Sequence, residues 1–276
     1  MTTTRETKRK AALAGMALAA TVATTSAMAE QEEPFKQTNI HFETNASACD
    51  MGIQISFDTE GITTGEVENP YGQIVFSLWA IPGVEETGDI TELFQERVEP
   101  PIKDLESALG CEPSEDGIWL DELFTTWPAG WYEFDGESRG TEFEGRARLT
   151  HRIPAGPEIL APEDGDIVPD DRHLRIRWKR VTEPLLDYLG PVRVVGYHVV
   201  VADVTDETLA PGQTKTVLDA DLSGSERSFL VPRQFLVPGR IYEFEVLATE
   251  RLGNQTITEG GVFCTPPVEP EDCEAP

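Results

Sequence analysis

The segment "FLVPGRIYEFEVLATERLGN" (235–254) contains the clearest pattern in the chain. Tyr242, Phe244, Val246 and Ala248 point one way, while Glu243, Glu245 and Thr249 point the other. A period of two predicts a half-buried strand. Leu247 interrupts the polar face, which predicts a second contact over it. Gly253-Asn254 then turns the chain into Gln255 to Phe263, the next predicted strand. Upstream, Leu174, Ile176 and Trp178 alternate with Arg175, Arg177 and Lys179. Tyr197, Val199 and Val201 begin a third strand, and Phe229 with Val231 a fourth. Short strands separated by Pro, Gly and Asp predict a β-sandwich.

These residues resemble a family. Leu236-x-Pro238-Gly239-x-x-Tyr242-x-Phe244-x-Val246-x-Ala248 is similar to the E–F corner and F strand of a fibronectin type III domain. "LRIRWKRV" resembles that family's B strand with its buried tryptophan, here Trp178. "GYHVVV", with Tyr197, resembles strand C, and "GPEILAPEDG" the opening A strand. The resemblance covers about residues 155–265. It implies an immunoglobulin-like sandwich in which Tyr242 is a tyrosine corner, its ring in the core and its hydroxyl bonded to backbone near the turn. Trp178, Tyr197 and Tyr242 are thus structural core residues. The family comprises spacer and binding modules of adhesins, receptors and extracellular enzymes, so the fold alone does not give function.

The first half of the chain is less regular. Strands are predicted at Ile40–Thr44, Ile53–Phe57 and Ile74–Trp79. A longer one spans 142–153, with Phe143, Gly145, Ala147, Leu149, His151 and Ile153 on one face. "WPAGWYEFDG" puts a Pro-Gly turn before a short aromatic strand. Two segments depart from the β pattern. Ile102, Leu105 and Leu109 recur at helical spacing between Pro101 and Gly110, and Trp119, Leu123 and Trp127 do so before Pro128. The acidic "EQEEPFK" (30–36) reads as a loose leader. "ETNASACDMGIQ" resembles a stretch of exported bacterial proteins that pair such a domain with a type III domain; that resemblance implies no activity. If an acidic pair there held calcium, this chain departs from it, because Ala48 and Cys49 stand in place of Asp-Gly and only Asp50 is left.

The predicted fold class is therefore all-β: two β-sandwich domains in tandem, 30–154 with one or two short helices and 155–265 of fibronectin type III type. An acidic Pro-rich tail follows at 266–276. Residues 1–29 read as a signal peptide: Arg5, Lys8, Arg9 and Lys10 precede a short apolar run, and Ala27-Met28-Ala29 supplies a cleavage pattern. Export follows, to a secreted or periplasmic location, with no membrane insertion after cleavage.

Charge narrows the partners. Taking four basic residues and one acidic residue off the formal net charge of −28 leaves −31. A chain this acidic repels nucleic acid and anionic surfaces. The four cysteines, Cys49, Cys111, Cys264 and Cys273, are an even set in an exported chain and predict disulfides. Spacing favours Cys49–Cys111 and Cys264–Cys273 among three possible pairings. Zinc is the alternative, but no pair has C-x-x-C spacing.

Motifs for chemistry are sparse. No G-x-S-x-G elbow, H-E-x-x-H helix or P-loop is present. His151 reads as a core histidine, His198 as part of strand C, and His41 and His173 as exposed residues preceding strands. The acidic runs at 58–69 and 163–171 could offer calcium carboxylates but lack EF-hand spacing. Asn45-x-Ser47 and Asn254-x-Thr256 fit the glycosylation sequon. No catalytic residue, metal ligand or cofactor is assigned. The sequence thus supports an exported, non-enzymatic binding or scaffolding protein whose partner is a protein or polysaccharide. The alternative is an extracellular hydrolase acting on carbohydrate, with Trp119, Trp127, Trp131 and Tyr132 as a sugar platform beside paired carboxylates.

Overall fold

The computed structural model describes residues 31–80, 88–205 and 215–274. The predicted signal peptide lies outside the described residues. The first half runs β1 (Gln31–Pro34), β2 (Gln37–Asn45), β3 (Asp50–Ile62), β4 (Thr64–Glu68), β5 (Ile74–Trp79) and β6 (Ile90–Glu96), then α1 (Lys103–Leu109) and α2 (Leu120–Thr126), then β7 (Gly130–Ser138) and β8 (Thr141–Leu149). The second half runs β9 (Ile159–Ala161), β10 (Asp166–Ile167), β11 (Leu174–Trp178), β12 (Val194–Asp203), β13 (Val217–Ser223), β14 (Ser228–Val231), β15 (Ile241–Glu250) and β16 (Gln255–Cys264). The chain is an all-β sandwich protein with few, short helices.

In the second half the alternation lands where the pattern puts it. One sheet is β9-β11-β14, the facing one β13-β12-β15-β16. Trp178 and Tyr197 are each 1% exposed and pack with ring centroids 5.3 Å apart. The Tyr197 hydroxyl accepts the Val181 N–H at 2.9 Å. The Tyr242 hydroxyl accepts the Val237 N–H at 2.8 Å and donates to the Phe235 carbonyl at 3.1 Å, which is a tyrosine corner. Strand order and corner together give this half a fibronectin type III-like fold.

The first half repeats the strand order. With β1 set aside, its first, second and fifth strands form β2-β3-β6, and the others form β5-β4-β7-β8. With β10 set aside, the second half has the same arrangement. Even the extra strand recurs: β1 lies parallel on β8, and β10 parallel on β16. The acidic leader is therefore not loose. Its end is the strand β1, because Phe35 inserts among Phe57, Phe134 and Phe143 and its N–H reaches the Glu144 carbonyl at 3.0 Å. The run at 58–69 is likewise no loop, since β3 and β4 fill most of it. Both predicted helices form, α1 ending at Gly110 with a left-handed φ of 86°. Leu105, Leu120 and Leu123 bury them in the first core. The disulfides are Cys49–Cys111, which ties the chain just past α1 to the β2–β3 turn, and Cys264–Cys273, which folds the tail back on β16.

The two sandwiches meet edge to edge. β2 pairs parallel with β16 through Glu43–Gln255, Thr44–Thr256 and Asn45–Ile257, so one sheet runs β13-β12-β15-β16-β2-β3-β6. Asn254 locks this seam and is 1% exposed. Its Oδ1 accepts the Phe42 N–H at 3.0 Å, and its Nδ2 donates to the Thr150 carbonyl at 2.7 Å and the Arg152 carbonyl at 3.0 Å. Thr256 Oγ1 adds a bond to the Pro154 carbonyl at 2.6 Å. These bonds draw the Thr150 and Arg152 carbonyls to the seam, so β8 stops at Leu149, short of the strand expected to run to 153. Gly253, at φ 103°, sits where a Cβ would come within 3.4 Å of His41 Cβ, so the turn can close on β2.

Three stability outcomes follow, each read by chemical denaturation. Trp178→Ala costs about 3–5 kcal/mol, and Tyr242→Phe about 1–2 kcal/mol because the Val237 N–H loses its acceptor. Asn254→Ala strips several buried backbone groups of partners at once and costs about 2–3 kcal/mol. A wild-type melting curve for Trp178→Ala would refute its core role, and one for Asn254→Ala would refute the lock.

Candidate functional site

The seam creates a broad outer face on the joined sheet, opposite both cores. Strand registers bring carboxylates onto it from residues far apart in sequence. Gln54 faces Glu96 across β3 and β6, Glu43 faces Gly52 on one side and Gln255 on the other, and Glu245 faces Glu259. Glu43, Glu96 and Glu99 each place a carboxylate oxygen within 4.8 Å of the others. Gly52 leaves the room, since a Cβ there would lie 2.5 Å from Glu99 Cγ. Further along, His198 on β12 contacts Asp219 at 2.7 Å and Asp221 at 3.3 Å. A groove of about 540 Å³ continues over Val200, Ala202, Glu243, Glu245 and Glu259 to Cys273 and Glu274 of the tail.

Neutral amides, not cations, partner these acids. Gln54 Nε2 donates to Glu96 at 3.2 Å, Asn45 Nδ2 to Glu259 at 2.7 Å, and Gln255 Nε2 to Glu43. Burial and like charge raise the pKa values of Glu43, Asp50, Glu99 and Glu245. Glu99 is pushed up to about 7, chiefly by burial and then by Asp50, Glu43 and Glu96. Burial is also the main cause of the upward shifts of Glu43, Asp50 and Glu245. The arrangement can hold a shared proton and attract cations. Of the described residues, Glu43, Glu96 and Glu99 are the group whose geometry could hold a divalent ion.

The positions singled out in the sequence separate. His41 is not exposed: it lies within β2, is 7% exposed, and burial drives its imidazole down to about 4 against the opposing hydrogen bond of Gln54. The seam covers it, because the Gly253 turn crosses its strand. The same setting buries Leu247 to 6% exposure, as its break in the polar face predicted. His151 stacks on Phe124 with centroids 3.8 Å apart, and its Nε2 lies 2.9 Å from the Trp127 carbonyl. His173 is exposed and accepts the Arg233 N–H at 3.1 Å. In the 163–171 run Asp164 accepts the Val262 N–H and Asp166 the Glu163 N–H, so these carboxylates already bond backbone. Asn254 is inaccessible as a glycosylation acceptor.

The four aromatics do not form one platform. Tyr132 is fully buried and donates to the Pro128 carbonyl at 3.1 Å, a second corner that "PAGWY" signals in the sequence. Trp131 has the Arg146 guanidinium 4.6 Å from its ring centroid, Trp127 has that of Arg97 at 5.9 Å, and Trp119 stands apart on α2's leading end.

No protein-family model matches the chain, and no curated protein matches it by sequence. Solved structures similar to it include the FN1–FN3 domains of chicken CNTN1, at 12% identity and TM-score 0.31, over 84% of this chain and 63% of that one. Fibronectin(III)-like modules of Clostridium thermocellum CbhA match at 11% identity and TM-score 0.30, over 88% of this chain and 95% of theirs. A two-domain fibronectin type III segment of chicken tenascin matches at 11% identity and TM-score 0.24, over 83% and 97%. The chain thus spans less than two thirds of the CNTN1 fragment. The likeness concerns fold alone.

The pH dependence tests the carboxylate cluster. Burial and neighbouring carboxylates push Glu99 up to about 7 in the folded state, against its ordinary value of 4.5. Between those values the folded state binds more protons than the unfolded, so this group's contribution to stability declines as pH rises through the window. His41 acts oppositely over about 4 to 6.5, where the unfolded chain binds the extra proton. Comparing wild type with Glu99→Gln isolates the first effect. The variant gains stability relative to wild type as pH rises to 7 and above, measured by denaturant midpoint. A pH-independent difference would refute the shift.

Proposed function

We propose that this chain is an exported, non-enzymatic binding or scaffolding protein of the cell surface, periplasm or medium, with domains at 30–154 and 155–265. The observation that carries the reading is the β2–β16 seam with Asn254 at its centre. Sandwiches joined only by a linker move independently by default. Here a shared sheet makes them one stiff body that presents a wide face to a partner. Two disulfides support an oxidising compartment. No helix among the described residues is long and apolar enough to cross a membrane. The partner is a protein or polysaccharide; the charge opposes nucleic acid.

A second reading has its own observation. Glu99 stays protonated near neutrality beside Glu43 and Glu96, and a proton-bearing carboxyl next to a carboxylate is the pairing that cleaves glycosidic bonds. One experiment separates the two. The purified full chain is incubated with envelope and extracellular polysaccharide from its own organism, and bound protein and released reducing sugar are both measured. Saturable binding without sugar release is expected. Sugar release that Glu99→Gln abolishes would establish the hydrolase instead, and absence of saturable binding would overturn the binding reading.

A further inference from the structure

A cleft of about 550 Å³ shares no residue with the acidic sheet face and is lined by Asp104, Trp119, Asp121, Glu122, Phe124 and Tyr188. Both halves of the chain build it. Trp119 precedes α2, while Tyr188 sits on a short 3-10 turn, Asp187–Leu189, in the second half. That turn is fixed to the first sandwich. Leu185 lies in the first core, its N–H reaches the Ile153 carbonyl at 2.9 Å, and Pro154 bridges Pro184. Phe124, held by its stack on His151, supports the floor.

Two features of the lining call for a ligand. Trp119 is 51% exposed and Tyr188 67%, so two large aromatic side chains face solvent in a concave site without contributing to a core. Their rings offer flat apolar surfaces with electron-rich faces. Asp104 has one oxygen committed to the Leu120 N–H at 2.9 Å, and Asp121 and Glu122 add two further carboxylates. Asp104 and Asp121 also act on the Tyr188 hydroxyl, whose pKa burial and these two charges raise. Lys103 has its Nζ 5.8 Å from the Trp119 ring centroid, within the range at which an indole face attracts an ammonium group.

We infer that this cleft binds an oligosaccharide bearing free amino groups, its sugar faces against Trp119 and Tyr188 and its ammonium and hydroxyl hydrogens donated to Asp104, Asp121 and Glu122. The aromatic planes match the C–H face of a pyranose ring, and the carboxylates accept donors while repelling uronates. Small-molecule sites combine apolar walls with a few placed polar groups in this way. The assignment goes beyond the scaffolding reading, which rests on the seam and survives loss of this cleft.

Titration calorimetry on the full chain at about 0.15 M salt, where long-range attraction is largely screened, tests it with a fully deacetylated glucosamine hexamer. Saturable binding is expected, weakened about tenfold by Trp119→Ala and by Tyr188→Ala. Both variants keep the wild-type melting temperature, because neither side chain is buried. Asp121→Asn weakens the glucosamine hexamer but leaves a neutral glucose hexamer unaffected. Three results would each overturn the inference: no binding, equal binding by both aromatic variants (general attraction to an acidic chain), or equal binding of a uronate hexamer. Tetramethylammonium binding as tightly as the hexamer would reduce the site to a cation cage and overturn it as well.

Discussion

The side-chain amide of Asn254 is the point on which the arrangement of this molecule turns. An edge strand has unpaired backbone groups, and proteins must cover or pair them. β2 and β16 are edges of separate sandwiches, and they satisfy one another only where register allows, over three residue pairs. Asn254 supplies what so short a ladder lacks. Its carbonyl oxygen takes the Phe42 N–H from β2, and its amide nitrogen takes carbonyls of Thr150 and Arg152 from the connecting segment. Sheet, connector and turn are thereby held at a single residue. The Pro154–Pro184 bridge and the burial of Leu185 follow from that placement, and they carry Tyr188 to the cleft opposite Trp119.

Sequence made the second sandwich readable because each of its strands has one wet face and one dry face. Alternation then reports burial directly, and Trp178, Tyr197 and Tyr242 fall in the core. It failed where burial came from outside the strand. His41 occupies the polar side of its strand, yet it is buried near the seam, which no local period records, whereas Leu247 betrays its cover by being apolar on the polar face. β1 and β6 escaped notice for the complementary reason: the sequence of β1, QEEP, has no run of apolar residues to alternate, and in β6 Leu93 and Phe94 stand side by side. The carboxylate cluster was illegible in principle. The β2-β3-β6 register brings Glu43, Glu96 and Glu99 together, and the register across the seam adds Glu245 and Glu259 to the same face.

That cluster also shows how an acidic chain with few lysines keeps like charges on one sheet. Countercharges are scarce, so glutamine and asparagine side chains act as neutral donors to Glu43, Glu96 and Glu259. Such bonds are directional and do not fade with salt as surface ion pairs do. They leave net charge untouched, however, and Glu99 is raised to about 7 chiefly by burial and then by repulsion from Asp50, Glu43 and Glu96. A proton is the smallest cation available, and the cluster uses it where no lysine or arginine reaches.

The repeated strand order raises a question about the α-helices, which among the described residues only the first half has. α1 and α2 are seven residues each, too short to be stable alone. They persist because Leu105, Leu120 and Leu123 share the first core and because Cys111, just past α1, is bonded to Cys49 at the β2–β3 turn. Cys49 adopts a φ of 59° there, a conformation few non-glycine residues take. In the second half the corresponding connection is the short segment 232–240 between β14 and β15, with no helix in it and no disulfide across it. The helical insertion is what separates the two copies in structure. It places Trp119 beside the second sandwich's 3-10 turn, so a surface that neither copy has alone arises from their juncture.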